Sequence, residues 1–144
     1  MRRIAIFCAA VTVAACSESA SGPSFQQPEG CYDLLVGPWN GVADEVLLLP
    51  PAIELRAELG TDVLERDRRL VRPFPDTGNR SYRWSWWEPI EADSIRLIWS
   101  TGFTGIEMRL ARRSDGYLGR AENFLDYPGN IAQAEARLDR RACA

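Results

Sequence analysis

The side chains best suited to recognition in this 144-residue chain are aromatic. Tyr82, Trp84 and Trp86 occupy every second position of one run, and Trp99 falls in the same phase of the next. Large rings gathered on one sheet face could line a pocket for a small apolar ligand. The facing phase offers small residues: Gly119, Ala121, Ala132, Ala134 and Ala136. Either the rings fill the interior or the alanines leave it hollow, and close packing of protein interiors favours filling. Trp87 lies on the opposite phase beside Arg83 and Ser85, where it is expected to be exposed as a contact for a partner or membrane surface.

Catalytic chemistry is poorly supplied. The chain contains no histidine and no lysine, which excludes Ser-His-Asp and Cys-His arrangements, histidine metal sites and Schiff bases. The carboxylate pairs Glu122 with Asp126 and Glu88 with Glu91 have no distinguishing surroundings and are expected to be solvated. Asp115-Gly116 reads as a hairpin turn, since the further oxygen ligands of a calcium loop are missing. No glycine-rich phosphate loop precedes a helix. The expectation is a non-catalytic protein with no catalytic residues, no metal and no cofactor.

The N-terminus has the three parts of an export signal. Arg2 and Arg3 form a positive start, Ile4 to Ala15 is uncharged and apolar, and the stretch ends in small residues before Cys16. It falls short of the ~20 apolar residues needed to span a bilayer. Val13-Ala14-Ala15-Cys16 resembles the lipobox of bacterial lipoproteins. That resemblance implies removal of residues 1–15 and diacylglycerol, with a further acyl chain, on Cys16; several chains give a stable anchor. Ser17, in place of an aspartate, implies outer-membrane delivery facing the periplasm. Residues 16–30 are polar and read as a flexible tether.

Loss of Arg2 and Arg3 from seventeen arginines leaves fifteen against twenty acids, a net charge of −5. Such a balance gives no electrostatic footprint for nucleic acid. With Cys8 in the signal and Cys16 lipidated, Cys31 and Cys143 remain, and in an oxidising envelope they most simply pair with each other. Two free thiols, or pairing to a partner, is the alternative.

Residues 31–144 read as a single domain. Its dominant pattern is alternation of apolar and polar residues, the mark of half-buried strands. Cys31 to Val36 alternates weakly; clearer strands are expected at about 53–59, 63–72, 81–88, 94–100, 104–112, 117–126 and 131–141. The last also contains good helix formers, but Ala132, Ala134, Ala136 and Leu138 alternate with polar residues, which favours a strand. Turn-forming residues separate the runs, giving an all-β antiparallel meander of seven to eight strands. A barrel closed by the terminal disulfide is the expected form, with a β-sandwich as the alternative. Gly37-Pro38-Trp39 resembles the Gly-x-Trp signature of lipocalins and related calycin barrels, which implies a Trp packed under an arginine from the last strand, here Arg137 or Arg140.

Two functions fit these features: binding of a small apolar molecule, or docking on another envelope protein. The anchor itself is testable: Cys16→Ala should move the protein from the membrane fraction to the soluble envelope fraction, and unchanged sedimentation with membranes would refute the lipobox reading.

Overall fold

In a computed structural model, the described residues are 27–40, 49–74, 84–125 and 131–143. Eight strands form them: β1 (Gly30–Val36), β2 (Ala52–Leu59), β3 (Arg69–Pro73), β4 (Trp84–Glu91), β5 (Ser94–Ser100), β6 (Thr104–Arg113), β7 (Gly116–Leu125) and β8 (Gln133–Arg141). Each pairs antiparallel with the next, and β1 also pairs with β8, so the meander closes into a barrel. Closure gives each of the described strands a neighbour on both sides. The 131–141 segment is strand, in agreement with its alternation. Tyr82 lies outside the described residues.

The closing seam is the β1–β8 pair. Cys31 stands opposite Arg141, and two residues further on Cys143 reaches back to bond Cys31 with a Cα–Cα separation of 5.3 Å. The loop enclosed by this disulfide spans most of the domain, so it removes much of the unfolded chain's freedom, worth about 4–5 kcal/mol in the chain-entropy treatment.

Eight strands enclose an interior just wide enough to be filled by side chains. Tyr32, Ile53, Leu55, Val71, Leu97, Trp99, Met108, Leu110 and Leu138 are among those that meet there, together with the small Ala121 and Ala136. Inward phases of β5, β6 and β8 follow the sequence alternation, and β2 follows it as far as Leu55, beyond which Ala57 and Leu59 are exposed. The phase of β4 is the reverse of that expected. Register pairs Trp87 with inward Leu97 and Ser85 with inward Trp99, so Trp87 points into the barrel and is 0% exposed. Trp84 and Trp86 therefore stand on the outer face, opposite Ser100 and Ile98.

The cause lies in β2. A bulge shifts its register with β3 between Leu55 and Leu59, and the Trp87 indole N–H donates to the Arg56 carbonyl in that interval at 2.8 Å. A buried carbonyl needs a donor, and Trp joins a large apolar body to one N–H. Alternation alone could not separate the two phases of Trp84-Ser85-Trp86-Trp87, because three of the four residues are tryptophan.

β3 is also shorter than expected. Residues 63–68 turn back on themselves: Glu65 N–H donates to the Asp62 carbonyl, Arg68 N–H to the Glu65 carbonyl, and Asp67 takes a left-handed φ of 62°. Gly60 permits this, since a Cβ there would sit 2.4 Å from that of Glu65. Register between β3 and β4 is correspondingly brief, with Arg69 opposite Trp87 and Leu70 opposite Trp86. Trp87→Phe keeps an inward ring but strands the Arg56 carbonyl. It should lower the unfolding free energy in urea by about 1–3 kcal/mol; an unchanged midpoint would mean that this bond does not fix the β4 phase.

Candidate binding surfaces

The outer face of β3–β5 carries an apolar strip that the β2–β3 loop folds back to cover. Leu70, Trp86 and Ile98 are buried there although they point away from the barrel axis. Arg68 stacks on the Trp86 ring at 4.3 Å. The Glu65 carboxylate accepts the Ser85 N–H at 2.9 Å and faces Arg72 at 3.8 Å, so its buried charge is partnered. At the loop tip Asp62 Oδ1 accepts the Trp84 indole N–H at 2.9 Å.

Trp84 also meets the β5–β6 turn, where its ring lies 2.9 Å from the position a Cβ on Gly102 would take. That turn is pinned by Thr101 N–H donating to the Thr104 carbonyl and Thr104 N–H donating to Thr101 Oγ1, leaving Phe103 at its tip. Two loops thus converge on one indole, and their apolar neighbours face water: Val63 is 80% exposed, Phe103 74% and Leu64 43%. The β5–β6 turn lies at the end of the barrel opposite Gly30, and the β2–β3 loop, which leaves β2 at the Gly30 end, folds along the outer face to meet it at Trp84.

A second concavity, about 550 Å³, runs over the outer face of β5–β7 as far as Gln133 on β8. Cross-strand register lays its side chains out in rows. Ala111 opposes Leu118, Arg109 opposes Arg120, Glu107 opposes Glu122, and Gly105 opposes Phe124. Gly105 is required, because a Cβ would fall 2.3 Å from the Phe124 ring. Burial would raise the Glu107 carboxyl, but hydrogen bonds from Arg96 and Arg109 outweigh it and hold Glu107 below the ordinary carboxylate range.

The third cluster closes the end of the barrel near Gly30. Tyr32 and Tyr117 meet edge to face with ring centres 6.0 Å apart. Tyr32 OH donates to the Pro28 carbonyl at 2.6 Å and accepts from Arg140, which also binds the carbonyls of Gln27 and Glu29. Residues 27–29 are thereby laced across the barrel end. Arg140 stacks on Tyr32 at 5.6 Å, which is an arginine of the last strand over an aromatic of the first. The aromatic differs from the expected one. Trp39 follows β1 at the other end, near Asn40 and its bridge to Gln133, while Arg137 pairs with Leu35 in register and with Asp139 by charge.

The residues singled out in the sequence are thus dispersed. Trp99 is inside; Trp84 and Trp86 are outside and cannot line the interior with it. Trp87, expected at the surface, is buried, so it offers no contact for a partner. Glu88 is ion-paired with Arg96, and among the described residues no group of three or more His, Cys, Asp or Glu could hold a metal. Sequence reasoning missed the crest, although Phe103 directly after Thr101-Gly102 placed an aromatic in a turn, where nothing local could bury it. No protein family matches this chain, and no curated protein or solved structure does either.

Burial pushes the Tyr32 hydroxyl up from 10.0 to about 12, with the Arg140 guanidinium offsetting part of the rise. The folded state then holds a proton that the unfolded chain releases, so stability falls as pH rises from about 10 to about 12. Tyr32→Phe should show a shallower loss over that window in pH-dependent urea unfolding; identical slopes would remove Tyr32 as the cause.

Proposed function

We propose that this chain is a lipid-anchored β-barrel of the bacterial cell envelope, held at Cys16 in the outer membrane and facing the periplasm. It is non-catalytic and acts as an interaction module that docks on another envelope protein. The docking surface is the crest of Val63, Leu64 and Phe103 around Trp84. One observation carries this reading: two pinned loops hold large apolar side chains in water, and they do so on the same indole. Burial of an exposed side chain of this kind stabilises a complex by about 1.5–3 kcal/mol. Interfaces draw most of their energy from such central aromatic and aliphatic anchors.

Placement also supports it. The tether enters at Gln27, and Phe103, on the β5–β6 turn, lies at the far end of the barrel, away from the membrane to which residues 16–30 would tie it. An interior packed with Trp87, Trp99 and their neighbours favours recognition by the surface over recognition by a chamber.

A photoreactive aromatic residue at position 103, expressed in cells, should give one discrete cross-linked product of higher mass. Adding Val63→Asp should abolish it, and the same probe at exposed position 113, at the other end of the barrel, should give none. No product at 103, or the same product at both positions, would reject the crest as a docking surface.

A further inference from the structure

We propose that the outer-face concavity over β5–β7 is a binding site for a zwitterionic amphiphile, an apolar chain joined to a phosphate that carries an ammonium group. This goes beyond the docking role and uses a different face of the barrel. The site follows from the order of its rows. Along β7, Leu118, Arg120 and Glu122 point outward in succession, each about 7 Å from the next. Their sequence is apolar, cationic, anionic. Neighbouring β6 repeats the order with Ala111, Arg109 and Glu107.

Direct cross-strand opposition of Arg109 and Arg120 is unfavourable in an empty site, as is that of Glu107 and Glu122. β6 resolves its half internally, since Arg109 Nε donates to Glu107 at 2.6 Å. β7 does not. Arg120 is exposed and makes no ion pair among the described residues, although Glu135 stands directly across from it on β8. Among the described residues Glu122 has only a 3.5 Å contact from the Gln133 amide. One cation and one anion are therefore presented unpaired, two residues apart, beside an apolar floor.

A phosphate oxygen on Arg120 would separate the two guanidinium groups electrostatically, since arginine offers forked donors to that geometry. The ammonium would reach the Glu122 carboxylate one row further, and the apolar chain would lie the other way over Leu118, Ala111 and the exposed Ile90. A volume of about 550 Å³ suits a single-chain molecule. A simple anion would meet the Glu107–Glu122 row unfavourably, and an uncharged chain would leave both charges unanswered.

The test is calorimetric titration of the whole protein, below the micelle threshold, with three amphiphiles of equal chain length: one bearing phosphoethanolamine, one phosphoglycerol and one maltoside. The phosphoethanolamine amphiphile should bind about tenfold more tightly than either of the others. Arg120→Gln should weaken it about tenfold, Arg120→Lys should restore part of the loss, and Glu122→Gln should reduce it to the phosphoglycerol level. Both positions are exposed, so these variants should keep the wild-type urea midpoint. Equal binding of the three amphiphiles, no binding of the first, or indifference to Glu122→Gln would each overturn the assignment. None of these outcomes bears on cross-linking at position 103.

Discussion

The hydrogen bond from the Trp87 indole to the Arg56 carbonyl decides how the outside of this barrel is organised. The register between β2 and β3 shifts around Arg56, and the indole of inward-pointing Trp87 donates to its carbonyl. Once Trp87 is committed inward, alternation sends Trp84 and Trp86 outward. Two tryptophans on the water side of a strand need cover. The fold-back loop supplies it, with Arg68 on Trp86 and Asp62 on Trp84. Val63 and Leu64 are carried to the surface by that same loop. An interior hydrogen bond and an exterior apolar crest are therefore linked through one strand's phase.

Most of the architecture was legible in the sequence because strand alternation and turn residues are local. Ile95-Leu97-Trp99 and Ile106-Met108-Leu110 point inward as their spacing requires, and the cysteines at either end of the domain signalled closure. What was not legible depended on partners distant in the chain. The orientation of β4 rests on a carbonyl 31 residues away, and four consecutive residues containing three tryptophans carry no usable polarity contrast. The expected strand at 63–72 begins only at Arg69, for a similar reason. Its apolar residues include Val63 and Leu64, which are exposed on a loop, so the run contained two structural roles under one composition.

The two surfaces differ in how they are built. The crest depends on loops held by side-chain to backbone bonds, and its apolar groups are set by turns. The concavity depends on β-ladder register, so its rows are as fixed as the barrel itself: a one-residue slip would turn every member to the interior. Placement by register suits discrimination between charges about 7 Å apart, whereas the crest presents its apolar groups from loops pinned to one indole.

The lacing of residues 27–29 over the barrel end has a mechanical side. A pull on the chain ahead of Gln27 reaches Arg140 and the Tyr32 hydroxyl first, and then the start of β1. β1 is held between β2 and β8, and the disulfide at its first residues ties it to the segment after β8. Tension would therefore act along the strands, straining several ladder bonds at once, where peeling would break them singly. Strain entering at Gln27 would be shared by the first and last strands, through the disulfide and the β1–β8 ladder, before it could reach the far loops.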